Sequence, residues 1–320
     1  MDSKARQSGF TIVELLVATA VLMLLMALLL SALNSSMTIW TRGSSKIQSF
    51  QQARAAYEAM TRKISQATLN IYWDYDTNSS GNPIGYKRQS ELQFLSGPAT
   101  NLLSSTATNR THAVFFQAPL GYSTNTNTAT NIALLQGLLN AGGYYLDFGP
   151  PPAPLDAKDT NSRFRLMEIW QSSENLGIYS SNKPLSTSSN TWYATNQSSM
   201  LAENIIALII RPRLPQREDP TGNALVTSGF IYNSADTNRP TTLHQLPPVV
   251  QVTMVAIDER SAYRKDNGTS MPVYAVSNLF SDPIQFQQDL QRLENNLITN
   301  NITYQIFDTL VPLEGAKWSR

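Results

Sequence analysis

The chain has 320 residues, a formal net charge of +1 and no cysteine. The near-neutral charge gives no electrostatic reason to expect a nucleic acid partner, and the lack of cysteine excludes disulfides and thiol chemistry. Charged residues make up only 15% of the sequence, which together with many Ser, Thr and Asn residues suits an exported domain with polar loops. The length allows a membrane helix and one sizeable globular domain.

An apolar stretch, Gly9–Leu33, follows the short leader MDSKARQSG and contains one charged residue, Glu14. Because about 20 apolar residues suffice to cross a bilayer as a helix, the stretch predicts a transmembrane segment. Lys4 and Arg6 in the leader predict that the leader stays cytoplasmic and that the rest of the chain lies outside. A carboxylate within a membrane segment is costly, so Glu14 is expected to mark a functional position with a partner.

The arrangement of Gly9, Phe10 and Glu14 resembles the N-terminal signal of type IV pilins and type II secretion pseudopilins. In that family a prepilin peptidase cuts after the glycine and methylates the new N-terminus. The resemblance implies cleavage after Gly9, methylation of Phe10 and an assembly role for Glu14, whose carboxylate would be neutralised by the N-terminus of a neighbouring subunit. The expected partners are the prepilin peptidase, other pilin or pseudopilin subunits and the bacterial inner membrane.

Two simpler interpretations of this stretch stay open. A secretory signal peptide has an apolar core of about 7–15 residues and a small-residue cleavage site after it; the core here is longer and no convincing site follows. A plain uncleaved anchor fits the length but leaves Glu14 unexplained.

The sequence predicts an α+β fold in which a long helix packs on a mainly antiparallel sheet domain, as in pilins. Residues 11 to about 70 are predicted as one helix, since apolar residues such as Phe50, Tyr57, Met60 and Ile64 recur at spacings of three, four and seven. The predicted division is a leader at 1–9, a transmembrane half of the helix at 10–33, an amphipathic half at 34–71 and a β-rich domain at 72–320.

Within that domain, short β-rich segments alternate with Ser/Thr/Asn-rich loops. The predicted strands are Glu91–Leu95, His112–Gln117, Gly143–Phe148, Arg163–Trp170, Leu201–Arg213, Val249–Asp258 and Asn301–Val311. A short helical turn is predicted at Leu134–Asn140, and Asp282 before Pro283 predicts the start of a late helix. The segment 171–199 is predicted as a polar insertion anchored by Trp192 and Tyr193.

Residues 74–81 are predicted as a polar loop between the helix and the first strand. Asp74, Asp76 and Asn78 begin like a calcium loop, but Ser79 stands where the turn glycine belongs and Gly85 where the bidentate glutamate belongs. No metal site and no cofactor are therefore predicted.

The sequence offers little sign of catalysis. The two histidines, His112 and His244, each stand alone, and the densest charge cluster, Asp258-Glu259-Arg260, follows a strong strand. Solvated or packed roles for the histidines and an ion network at the strand end are the favoured interpretations, so no catalytic residue is assigned and an enzyme is not expected.

The C-terminal half resembles the larger minor pseudopilins, the PilW-like or J-type group. The phrases Leu201–Pro215 and Leu246–Ala262 are most similar to the Verru_Chthon cassette protein C family. The favoured function is a minor pilin or pseudopilin subunit, with a tip position expected from its bulky loops. The alternative is a membrane-tethered binding module that recognises a surface or secreted ligand. The sequence does not distinguish secretion, motility and DNA uptake, and it names no cargo.

Overall fold

The computed structural model describes residues 11–103, 110–124, 137–150, 162–180, 192–193, 198–265, 272 and 279–318. The chain divides into two units, 1–48 and 49–320. The helices are α1 (Ile12–Ser65), α2 (Ala99–Leu102), α3 (Gly177–Ser180), α4 (Glu259–Lys265) and α5 (Phe286–Thr299). The strands are β1 (Tyr72–Thr77), β2 (Pro83–Gln89), β3 (Leu95–Pro98), β4 (Arg110–Pro119), β5 (Leu139–Gly149), β6 (Arg163–Gln171), β7 (Ser198–Glu203), β8 (Ile205–Arg213), β9 (Tyr232–Asn233), β10 (Val249–Ile257) and β11 (Tyr304–Pro312).

Helix α1 ends at Ser65, a few residues before the predicted end. The Ala67 N–H still bonds to the Ile64 carbonyl at 3.0 Å, but the Thr68 N–H bonds to the Gln117 carbonyl of β4 at 2.8 Å. The backbone therefore leaves the helix in order to join the sheet. The buried face of the helix within the second unit consists of Ala53, Ala56, Tyr57, Met60 and Ile64.

The described strands form three sheets, and every paired strand is antiparallel. A hairpin joins β1 to β2, a three-stranded sheet has the order β11-β10-β8, and a six-stranded sheet has the order β7-β6-β5-β4-β3-β9. The predicted α+β class is confirmed.

The three-stranded sheet is covered on both faces, as predicted for the apolar run in β8. In β10 the residues Val250, Val252 and Met254 belong to the larger apolar cluster, which also contains the buried face of α1. The alternate residues Val255 and Ile257 belong to a second cluster. That second cluster also contains Phe286, Leu293 and Leu297 of α5. Because successive side chains of a strand point to opposite faces of the sheet, β10 contributes side chains to both apolar clusters.

The predicted single strand Leu201–Arg213 is wrong, because it is two strands in different sheets. The break is Asn204, which has a φ of 61°, a left-handed conformation that Asn tolerates better than most residues. Its N–H bonds to the Phe164 carbonyl at 2.8 Å and its carbonyl accepts from the Ile257 N–H at 2.9 Å. Asn204 therefore moves the chain from the six-stranded to the three-stranded sheet.

Three further predictions need correction. The strand placed at Glu91–Leu95 begins only at Leu95, because Asn70 and Ser90 side chains bond the backbone of Leu92 in place of a neighbouring strand. The helical turn at 134–140 is wrong for residues 139 and 140, which lie in β5; residues 134–136 lie outside the described part.

The polar loop at 74–81 is largely β structure. Residues 72–77 pair with residues 83–89, and the Asn78 side chain accepts the N–H groups of Ser80 and Asn82 at 3.0 Å across the turn. In the described residues no group of three or more His, Cys, Asp or Glu side chains is placed to hold a metal ion.

Candidate assembly site at the N-terminal helix

The described chain begins one residue after the predicted processing site, since Gly9 and Phe10 lie outside the described residues. Thr11 caps α1: its hydroxyl oxygen accepts the Glu14 N–H at 3.3 Å. In return, the Thr11 N–H and O–H donate to Glu14 Oε2 at 3.1 and 3.0 Å. This reciprocal arrangement is a capping box, and it gives the Glu14 carboxylate local donors at the start of the helix.

Sequence reasoning missed the role of Thr11. The signal was present, because Thr followed three residues later by Glu and then by an apolar run is the sequence pattern of a capping box.

Beyond the cap, the first part of α1 presents apolar side chains on all sides of the helix. Residues Ile12–Met37 are long and apolar enough to cross a membrane, and no part of that stretch is buried by the rest of the described chain. The hydroxyls of Thr19 and Ser35 bond to the backbone carbonyls of Leu16 and Ser31, both at 3.0 Å. These bonds satisfy polar groups that would otherwise be costly in lipid.

Comparison with known protein families matches residues 4–30 to the family described as the prokaryotic N-terminal methylation motif. The N-terminus is of the prepilin type. Comparison with curated proteins and with solved structures gives no significant match. The match supports a protein related to type IV pilins and pseudopilins, without identifying a subfamily.

A prepilin-type N-terminus implies processing by a prepilin peptidase and assembly with other pilin subunits. Together with the apolar first part of α1, it supports a membrane-anchored protein that enters a pilus or pseudopilus. It also points to a structural subunit rather than to an enzyme.

His112 has a structural place in the globular unit. It is fully buried, and its Nε2 lies 3.0 Å from the Phe280 carbonyl, which can only accept, so Nε2 carries the proton. Its Nδ1 then accepts the Ile210 N–H at 3.1 Å. Burial lowers the pKa of the imidazole to about 4, because desolvation of the charged form outweighs these two hydrogen bonds. A neutral ring follows at ordinary pH.

The bond to Ile210 completes the edge of β8. Alternate residues of a strand point their N–H groups to the same edge. At this edge the Leu208 N–H bonds to Thr111 Oγ1 at 3.1 Å and the Ile210 N–H bonds to His112, while Pro212 has no N–H group. Side chains of β4 thus accept the N–H groups of Leu208 and Ile210, and Pro212 has no N–H group to donate. At these three positions β8 offers no donor to a further strand.

The second histidine has less support from neighbours. His244 is half-buried with a φ of 53°, and its N–H donates to the Ser234 carbonyl at 2.6 Å. Desolvation lowers the pKa of its imidazole, and the nearby Arg88 charge lowers it further. No group near His244 gives it a defined chemical role.

The charge cluster after β10 forms a network at the strand end, as predicted. The Asp258 side chain accepts the Ser261 N–H at 3.2 Å and so caps α4. Glu259 forms an ion pair with Arg163 and accepts from Asn204 Nδ2 at 2.6 Å. These contacts tie α4 to the point where the chain changes sheets.

A groove with a volume of about 650 Å³ is lined in part by Lys63, Tyr122 and Trp170. Lys63 bonds to Glu168 at 3.1 Å and lies 4.8 Å from the centre of the Trp170 ring, so its charge is already compensated. Other wall residues, such as Thr124, adjoin segments outside the described residues, and no site is built on this groove.

Proposed function

We propose that the chain is a minor pilin or pseudopilin subunit that assembles through α1 into a type IV pilus or a type II secretion pseudopilus. A prepilin peptidase cuts the Gly9–Phe10 bond and methylates Phe10. The observation that carries this proposal is the prepilin-type match at residues 4–30, in which Glu14 is the one charged residue of an otherwise apolar stretch that continues to Met37.

The role proposed for Glu14 changes on assembly. Before assembly its carboxylate accepts from Thr11, which lessens the cost of a charge in the membrane. After assembly the methylated N-terminal amine of a neighbouring subunit neutralises it and fixes the register between helices. Removing one partner of a buried ion pair costs about 3–5 kcal/mol, whereas losing an N-cap costs about 1 kcal/mol. The charge should therefore matter more for assembly than the cap does.

The proposed topology is a single pass through the bacterial inner membrane. Lys4 and Arg6 keep the leader cytoplasmic, and the β-rich domain lies in the periplasm.

The proposed tip position rests on the polar insertion predicted at 171–199. Two residues of that segment pack on the globular unit: Trp192 Nε1 bonds to Gln93 Oε1 at 2.8 Å, and the Tyr193 ring stacks 4.1 Å from Phe115. Such an insertion would crowd a repeating shaft, so we place the subunit at the tip.

The similarity of residues 201–215 and 246–262 to the Verru_Chthon cassette protein C family is part of the same proposal. The buried strands β8 and β10, which these phrases largely form, are neighbours in the three-stranded sheet, with β10 at its centre and β8 at its edge. Their apolar character has a structural cause in any protein with this sheet, so the subfamily assignment depends on sequence similarity alone.

The test separates the charge of Glu14 from its capping. Glu14→Gln keeps an oxygen that accepts from Thr11, since Gln serves in a capping box as Glu does, but it removes the charge. Thr11→Ala removes the cap and keeps the charge. We expect Glu14→Gln to reduce incorporation into sheared pili or pseudopili at least tenfold, and Thr11→Ala to change it less than threefold.

Both variants should insert into the membrane at the wild-type level, which membrane fractionation and immunoblotting measure. Equal assembly of Glu14→Gln and wild type would contradict the charge mechanism. A larger loss for Thr11→Ala than for Glu14→Gln would show that the helix cap, and not the charge, is what assembly requires.

A further inference from the structure

The hairpin β1–β2 lies outside both apolar clusters of the globular unit. Its two strands pair only with each other, and it begins at Tyr72, soon after α1 ends at Ser65. An isolated two-stranded hairpin is marginally stable in water unless a further strand or a packed face supports it. The side chains that this hairpin exposes therefore need an explanation.

One face of the hairpin is aromatic. The register places Trp73 opposite Arg88 and Tyr75 opposite Tyr86. The two tyrosine rings lie 5.2 Å apart, and the Arg88 guanidinium lies 6.0 Å from the Trp73 ring. Trp73, Tyr75 and Tyr86 are nevertheless 64%, 58% and 70% exposed. The rings contact each other but leave their outer surfaces uncovered.

The opposite face is charged. Asp74 and Asp76 alternate with the aromatic residues of β1, and Lys87 Nζ lies 3.8 Å from Asp76 Oδ1. The hairpin is thus amphipathic, like a strand pair packed on a core, yet neither apolar cluster of the described residues includes its aromatic face. Contiguous exposed apolar surface of this kind marks an interaction site.

The composition of the aromatic face favours a protein as its occupant. Trp, Tyr and Arg are the residues most enriched at the centres of protein interfaces. Ile84, the extra residue at the bulge within β2, is 66% exposed and offers no group to a sugar hydroxyl or a nucleobase. The carboxylates of Asp74 and Asp76 on the reverse face would repel the phosphates of a nucleic acid.

The size of the face favours a partner that is already held nearby. Three aromatic side chains of about 150–250 Å² each, mostly exposed, offer on the order of 400 Å². A two-sided interface of about 800 Å² is smaller than the roughly 1,200–2,000 Å² of a stable complex between free proteins. It is large enough when a second contact raises the local concentration of the partner.

We propose that the aromatic face of the β1–β2 hairpin docks on an apolar surface of an adjacent, different pilin-like subunit of the same assembly. The proposal rests on the proposed function, because packing through α1 is the second contact that holds the neighbour in place. The small area of the aromatic face, about 400 Å², is what makes this second contact necessary.

The test is site-specific photocrosslinking of the full chain in the membranes of its native cells. The photoreactive residue p-benzoylphenylalanine replaces Tyr86 in one variant and Tyr263 of α4 in the other. Tyr263 is a matched control, since it is an equally exposed tyrosine at 68%. We expect at least fivefold more crosslinked protein from position 86, and mass spectrometry should identify a different chain with a methylated prepilin-type N-terminus.

A further Trp73→Ala substitution should reduce the crosslink from position 86 at least fivefold. Equal yields from positions 86 and 263, or products containing only a second copy of this chain, a glycan, a nucleic acid or an unrelated protein, would overturn the proposal. The N-terminus of the same sample is sequenced in parallel: a methylated Phe10 without the crosslink refutes the hairpin contact alone, whereas an intact Met1 refutes the proposed function.

Discussion

At the scale of single residues, the contacts of His112 explain why it is better understood as a structural group than as a catalytic one. His112 joins β4, β8 and the segment before α5 through its two ring nitrogens. The ring also lies 4.8 Å from the centre of the Phe230 ring. A buried imidazole with both nitrogens bonded has no free group with which to act on a substrate.

The buried His112 makes stability depend on pH. Its pKa falls from an ordinary value of 6.5 to about 4 in the fold, so the folded state favours the neutral ring. The contribution of the neutral His112 ring to the free energy of unfolding is therefore fully present above about pH 6.5 and declines as the pH falls towards 4. The full loss is about 3 kcal/mol, from 1.36 kcal/mol for each pKa unit. Urea unfolding in mild detergent, followed by tryptophan fluorescence between pH 7 and 4, measures this decline.

The control for this prediction is His112→Asn, which removes the titrating ring. We expect the variant to be less stable than wild type at pH 7 and to lose less of its stability on acidification. The half-buried His244 and the carboxylates are common to both proteins and cancel in the comparison. An identical pH dependence in the two proteins would contradict the assignment.

At the level of elements, β5 depends on two adjacent glycines in the middle of the six-stranded sheet. A Cβ on Gly143 would lie 2.0 Å from the Val114 carbonyl oxygen of β4, and one on Gly142 would lie 2.0 Å from the Ile169 carbonyl oxygen of β6. Both neighbours are backbone atoms, which cannot move without breaking the ladder. β5 is therefore restricted to glycine at these two positions.

Gly143→Ala is expected to destabilise the protein by about 3 kcal/mol or more, since overpacking against fixed backbone forces strand displacement. Gly85→Ala in β2 is the matched strand control, because nothing lies within 4 Å of its added Cβ, and its effect should stay within about 0.5 kcal/mol. Urea midpoints of the purified chains measure both changes. Similar midpoints for the two variants would contradict the close approach of β4 and β5.

Some elements follow from local sequence and others do not. The alternation in β10 and the Asp282-Pro283 start before α5 are local patterns, and the structure confirms both: Asp282 accepts the Ile284 N–H at 3.0 Å. The change of sheet at Asn204 leaves no local pattern, because its cause is a set of tertiary hydrogen bonds. The hairpin was missed because the aromatic and acidic residues of β1 alternate without a core to cover them.

The same division holds for the candidate site. The lone charge of Glu14 in an apolar run identifies it from sequence, and the T-x-x-E spacing would have identified its partner Thr11. The register that places Tyr75 beside Tyr86, by contrast, depends on a turn of five residues around Asn78 and Gly81. Such a turn has no strong two-residue hairpin signal, so the aromatic face required the structure.

The molecule as a whole combines a prepilin-type N-terminus with an α+β unit in which His112 and the charged side chains after β10 have structural roles. In this account the function lies in two contacts, one made by the N-terminal helix and one by the hairpin that follows it. The globular unit carries the second contact on a hairpin that lies outside its two apolar clusters. We propose that the protein acts by assembly, since the prepilin-type motif points to a structural subunit.

The most direct measurement is the N-terminal sequence of the mature protein, obtained by mass spectrometry on chain purified from native membranes. We predict that the mature protein begins with an N-methylated Phe10 and lacks the leader MDSKARQSG. In cells without the prepilin peptidase the same peptide should retain the leader. A chain that begins at Met1 in cells with an active peptidase, or one cut after residue 33, would contradict prepilin-type processing after Gly9.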